Sequence, residues 1–190
     1  MPPSGPELRH CAVVTTVLGF CAAILASLLL PAPARAYEDR LTAGPLVGMG
    51  ISSENSLGSE FGIVAGVTAS VGLDDVWNVR LTAGNGVHPG PDLVDVAFGS
   101  LELLYTVDIV EWVPFFGGGV DGVFVFADGS SIAEPGFHGT VGIDRWLSRT
   151  WLIGLDLRGI VLPFLENGPG LAVDPVYVTA TIRAEWVFDL

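Results

Sequence analysis

The stretch Trp151–Phe164, WLIGLDLRGIVLPF, holds a carboxylate and a guanidinium two places apart inside an otherwise apolar run. Read with a period of two, Trp151, Ile153, Leu155, Leu157, Gly159 and Val161 share one face, and Leu152, Gly154, Asp156, Arg158 and Ile160 share the other. Successive side chains of a β-strand point to opposite faces, so a strand gathers both charges on one side. A helix turns residues two apart to nearly opposite sides and would leave a charge among the Leu and Ile side chains. The stretch therefore predicts a strand with one wholly apolar face and one face that carries charge.

The same split recurs along the chain. In VYVTATIRAEWVF, Val176, Val178, Ala180, Ile182, Ala184, Trp186 and Phe188 oppose Tyr177, Thr179, Thr181, Arg183 and Glu185. EFGIVAGVTASVGL, PFFGGGVDGVFVF and FHGTVGID divide in the same way. Eight strands are predicted, at residues 40–51, 60–73, 77–85, 94–108, 113–126, 137–146, 150–162 and 176–188. Most are near the roughly 9–11 residues that a tilted strand needs to cross a bilayer. The connections alternate in length. SSENSLGS, NGVHPGPDL, ADGSSIAEPG and PFLENGPGLAVDP are long and rich in Gly, Pro, Ser and acids, whereas the links around DDVW, IVEW and LSR are short. An antiparallel meander closed into a barrel produces this rhythm, with long loops at one rim and short turns at the other.

On that meander Trp77, Trp112, Trp146, Trp151 and Trp186 all map to the short-turn rim. Trp favours a membrane–water interface, where the ring is buried and the N–H stays wet, so these five are expected to form an interfacial girdle. Phe61, Phe98, Phe124, Phe126, Phe137, Phe164 and Tyr177 are the expected girdle of the opposite rim. The charged faces turn inward. Arg40, Arg80, Arg158 and Arg183 are set against Glu60, Glu102, Asp121, Asp144, Asp156 and Glu185 as a polar network filling the lumen. An eight-stranded barrel is too narrow for a wide aqueous channel, so these groups must satisfy one another or hold a few waters.

Composition agrees with a membrane barrel. Of 190 residues, 50% are hydrophobic, with a mean hydropathy of +0.57. Lys is absent, and the formal net charge of −13 excludes a basic surface able to neutralise nucleic-acid phosphates. Residues 1–36 read as a secretory signal. Arg9 and His10 precede the apolar run Cys11–Leu30, and the small-residue segment PAPARA predicts cleavage after Ala36. An uncleaved helical anchor is the competing reading of a run about long enough to span a bilayer. Both cysteines lie in this segment, so the domain 37–190 is expected to fold without disulfides.

With its signal segment and eight alternating segments, the chain resembles the small outer-membrane β-barrel family of Gram-negative bacteria, OmpA-like and OmpX-like. PFFGGGVDG resembles the glycine-rich mid-barrel strand, and TWLIGLDLRG the penultimate strands. The terminal alternation Trp186, Phe188, Leu190 is similar to the C-terminal strand read by the outer-membrane assembly machinery, although the family usually ends in Phe. The resemblance implies an all-β, eight-stranded, antiparallel up-and-down barrel in the outer membrane, with lipid and the assembly machinery as partners.

Chemistry beyond this is sparse. His138 lies on an inward face, but no Ser stands beside it in FHGTVGID, and a catalytic site needs nucleophile, base and orienter within reach. GGGVDG sits inside a strand with no helix following to hold phosphate. Glu54, Asp92, Asp95, Asp128, Glu134, Glu166 and Asp174 lie in the long loops without the dense spacing of a Ca²⁺ motif. No catalytic residue, cofactor or metal site is expected. The reading is a non-enzymatic barrel acting through four exposed loops. A lipid-modifying barrel enzyme based on His138, a narrow pore and a secreted lipocalin-like barrel with reversed faces are the competing readings.

Overall fold

The computed structural model describes residues 39–52, 61–90, 93–107, 112–127, 130–163 and 176–190. Eight strands follow one another: β1 Arg40–Ser52, β2 Phe61–Gly72, β3 Trp77–His88, β4 Val94–Thr106, β5 Trp112–Ala127, β6 Ser130–Trp146, β7 Trp151–Val161 and β8 Val176–Asp189. Each pairs antiparallel with the next, and β1 pairs with β8, so the sheet closes into a barrel. Closure leaves no sheet edge around the barrel wall, which the apolar outer surface would otherwise expose to aggregation. The predicted signal segment, with its cleavage site after Ala36, lies outside the described residues.

Burial alternates along most of the strand positions, with a break at Asp144–Trp146, where three successive residues are buried, and on β7 it follows the parity that divides WLIGLDLRGIV. The outer wall carries Ile63, Val67, Leu81, Leu101, Phe116, Phe137, Leu155, Leu157 and Ile182, all exposed. The inner face carries Arg80, Glu102, Asp121, Asp144, Asp156, Arg158, Arg183 and Glu185, all buried. This distribution is the reverse of a lipocalin-like soluble barrel.

Two segments extend further than expected. β3 continues to His88, and β6 begins at Ser130 instead of residue 137. β5 and β6 stay paired up to Ala127↔Ser130, so SSIAEPG is strand and not loop. Only Asp128 and Gly129 separate the two strands in sequence, the dipeptide that favours a two-residue hairpin link. The Ser, Pro and Glu of SSIAEPG suggest a loop by composition alone.

The interior is layered. Toward the long connections, Leu46, Val64, Val94, Val96, Phe98, Val123, Val125, Ile160, Leu162 and Tyr177 form one apolar cluster. Toward the short connections, Leu104, Val113, Phe115, Trp146, Leu152 and Val187 are buried. The ionised side chains lie between these two layers.

Candidate functional site: the luminal ion-pair network

The network is built from β-strand parity and register. Arg80 on β3 and Glu102 on β4 are direct cross-strand partners, and Arg80 Nε donates to Glu102 Oε1 at 2.6 Å. Arg158 reaches the same oxygen from β7, its Nη2 donating at 2.5 Å. Its Nη1 donates to Ser100 Oγ at 2.7 Å and its Nη2 to Thr82 Oγ1 at 3.3 Å. Asp156 joins two cations. Its Oδ1 accepts from Arg80 Nη1 at 3.4 Å, and its Oδ2 lies 2.6 Å from Arg183 Nε. Arg183 Nη2 donates to Asp144 Oδ1 at 2.5 Å, and its Nη1 donates to Glu185. Thr42 Oγ1 on β1 closes onto Glu185 Oε2 at 2.5 Å, and Thr68 on β2 meets Thr82 at 3.5 Å. With Asp121 on β5 and His138 on β6, all eight strands contribute a side chain. Contacts such as Arg158–Glu102 join strands that are not neighbours in the sheet, so these groups meet inside the closed wall.

Glycine makes two of these contacts possible. Asp144, Gly154 and Arg183 share one register row across β6, β7 and β8. A Cβ at Gly154 would overlap Asp144 Oδ1 and the Arg183 guanidinium. Glu102, Gly119 and His138 form an equivalent row, in which a Cβ at Gly119 would lie 2.7 Å from Glu102 Cα. Gly154→Val is therefore expected to separate Arg183 from Asp144 and lower stability by about 1–3 kcal/mol, the cost of overpacking. Equilibrium urea unfolding measures it.

Phe115 forms an apolar floor under the cations. The guanidinium carbons of Arg80 and Arg183 lie 5.1 and 5.5 Å from its ring centroid, within cation–π range. Phe115 shares the inward parity of Asp121, a placement not among the sequence-based expectations.

Eight of the ten residues expected in the lumen thus come together: Arg80, Glu102, Asp121, Asp144, Asp156, Arg158, Arg183 and Glu185. Arg40 does not join them. It lies at the rim, with Nε 3.7 Å from Asp189 Oδ1 and its guanidinium over the Trp146 ring at 5.2 Å. Glu60 lies outside the described residues.

The expected girdle divides. Trp77, Trp112, Trp151 and Trp186 are exposed on the outer wall near the short connections. Trp151 and Trp186 stack with centroids 4.3 Å apart, and Trp77 packs edge-on against Tyr105 at 5.2 Å. Trp146 is corrected: it is only 2% exposed and sits inside the barrel. It shares the parity of His138 and Asp144 and pairs with the inward Leu152, so nearness to the turn was the wrong criterion. Phe98 and Tyr177 of the expected second girdle are likewise buried in the inner cluster, again by parity. Phe61, Phe124, Phe126 and Phe137 are exposed on the outer wall, and Phe164 lies outside the described residues.

Both histidines of the barrel are luminal. His88 Nε2 lies 3.0 Å from the Tyr177 hydroxyl, a contact that the loop assignment of His88 had hidden. His138 lies between two carboxylates. Its Nδ1 is 2.7 Å from Asp121 Oδ2, and its Nε2 is 3.3 Å from Glu102 Oε2. Among the described residues no group of three or more His, Cys, Asp or Glu side chains is arranged to hold a metal ion.

An apolar outer wall around an ionic axis is the architecture of a membrane-spanning β-barrel, and the fold is that of the small eight-stranded outer-membrane barrels. Among solved structures the chain is similar to Neisserial surface protein A, NspA, with a TM-score of 0.60 and 14% identity over 80% of this chain and 96% of that one. It is similar to the N-terminal β-barrel domain of Pseudomonas aeruginosa OprF, with a TM-score of 0.56 and 12% identity over 80% and 98%. The P. aeruginosa outer membrane protein OprG follows at 0.50 and 14% identity over 82% and 100%. No family model and no curated protein matches the sequence.

Proposed function

We propose that this chain is a non-enzymatic barrel of the outer membrane that serves as a stable carrier for its long extracellular connections. The observation that carries this reading is the filled lumen. A polar and ionic layer to which all eight strands contribute lies between two apolar layers, which leaves side chains where a conducting path would run. Surface-interaction roles therefore fall to the loops, and the wall supplies anchorage. The fold shared with NspA, named a surface protein, and with OprG, named an outer membrane protein, supports the location. The orientation puts the Trp77, Trp112, Trp151 and Trp186 rim at the periplasmic interface, where short turns belong in such barrels. Residues 1–36 direct export, and the assembly machinery inserts the remainder.

His138 bears on the enzymatic alternative. It is the candidate base of that reading, and it faces Asp121 and Glu102 inside the barrel with no Ser hydroxyl among its hydrogen-bond partners. That geometry favours a structural role over lipid hydrolysis.

The test is fractionation of cells making the full chain. The protein is expected in the outer-membrane fraction, with a mature N-terminus at Tyr37 by mass spectrometry and heat-modifiable gel mobility. In planar bilayers it is expected to conduct little or no current. Recovery as a soluble monomer without detergent, or steady channel conductance, would overturn the reading. A charge on the outer wall provides a second check. Leu155→Arg is expected to cost about 2–4 kcal/mol if residue 155 lies near the bilayer midplane, read by unfolding from lipid vesicles.

A further inference from the structure

Among the described residues the luminal charges do not balance on arginine alone. Arg80, Arg158 and Arg183 stand among Glu102, Asp121, Asp144, Asp156 and Glu185, three cations against five carboxylates. His138 is where a fourth cation belongs. A neutral imidazole has one N–H and one bare nitrogen, and an ionised carboxylate only accepts. Nδ1 against Asp121 and Nε2 against Glu102 would leave one contact without a proton if the ring were neutral. His88 offers the contrast. Its Nε2 faces the Tyr177 hydroxyl, which both donates and accepts and so makes no demand on that nitrogen's proton.

We propose that His138 is held as an imidazolium that ties Asp121 on β5 and Glu102 on β4 to β6, and that removing its proton loosens the barrel. The charged groups acting on this ring come from three strands: Glu102 on β4, Asp121 on β5 and Arg158 on β7. Arg80 on β3 stands behind Glu102. Glu102 keeps its direct ion pairs with Arg80 and Arg158 when the imidazolium is lost, whereas Asp121 keeps only the longer-range attraction of Arg158. Its Oδ2 contacts His138, and its Oδ1 has no hydrogen-bond partner. Deprotonation of His138, with the proton passing to solvent base, leaves Asp121 as a buried carboxylate without its cation, a costly state. The sign follows: the pairing contributes stability while the ring is charged, and that contribution is lost as the pH rises.

The composition makes the test clean. The chain has no Lys, and both Cys residues, Cys11 and Cys21, lie in the segment expected to be removed. In a mature barrel neither Lys nor Cys then contributes to a change with mildly alkaline pH.

The experiment uses ¹⁵N-labelled protein purified from membranes. The imidazole nitrogens of His138, assigned by comparison with His138→Gln, are expected to show both nitrogens protonated at neutral pH. Urea unfolding at neutral and mildly alkaline pH then compares wild type, His138→Gln and His88→Gln. In wild type and His88→Gln the unfolding constant is expected to rise with pH, approaching tenfold per pH unit for one proton. In His138→Gln it stays flat. A neutral His138 tautomer at neutral pH would overturn the proposal and move the shared proton onto a carboxylate. So would an unchanged pH slope in His138→Gln. If His138→Gln does not fold, the wild-type nitrogen signals decide, with the ring assigned through His88→Gln.

Discussion

Replacing Arg183 by Met is expected to lower stability by about 3–5 kcal/mol, the usual cost of removing one partner from a buried ion pair. Arg183 is 1% exposed and faces Asp144, Asp156 and Glu185 from its three guanidinium nitrogens. Met matches its length but leaves three carboxylates with one fewer cation. Asp156 retains Arg80, and Glu185 retains the Thr42 hydroxyl. Asp144 loses its ion pair with Arg183. Arg183→Lys keeps the charge and loses the planar fork, so an intermediate loss is expected. Urea unfolding in lipid vesicles, followed by fluorescence of the rim tryptophans, measures both variants. A Met variant within about 1 kcal/mol of wild type would mean that the network contributes no more than an exposed pair does.

Glu102→Leu is expected to be comparably damaging, about 3–5 kcal/mol, for the opposite reason. Here one acid serves Arg80, Arg158 and His138. Its loss leaves Arg80 with only the longer contact to Asp156 and Arg158 with the Ser100 and Thr82 hydroxyls, while His138 keeps Asp121. Glu102→Gln keeps the volume and one carbonyl acceptor, and it should cost less. The two sites are joined through Arg80 and Asp156, so the Arg183→Met and Glu102→Leu effects should not add. A double-mutant cycle is expected to return a coupling of about 0.5–3 kcal/mol, whereas independent sites would return almost none.

The strand positions were legible because one face of each strand meets an apolar surface and the other meets charge. That contrast marks every second residue, and it set β7, β8 and β2 to within a residue or two. It failed where composition was read in place of pairing. SSIAEPG looks like a loop residue by residue and is strand because β5 holds it in register as far as Ser130. Trp146 and Tyr177 were assigned by residue preference and nearness to a rim, but strand parity sends both inside. Parity is a geometric constraint of the backbone, and it outranks the interfacial preference of an aromatic ring.

What the sequence by itself determined about this protein is the sidedness of its strands and, from that, the closed meander. Alternation needs only local backbone geometry, and every strand carries it. What only the tertiary structure decided is which charge meets which. Arg80, Glu102, Asp156 and Arg183 lie on four strands, and their distances depend on register, closure and the empty space at Gly154 and Gly119. None of these is a property of a single segment. The layering of the lumen is of the same kind. Val96, Val125 and Ile160 are each ordinary inward residues, and they become one apolar cluster only when three distant stretches of chain converge around the same axis.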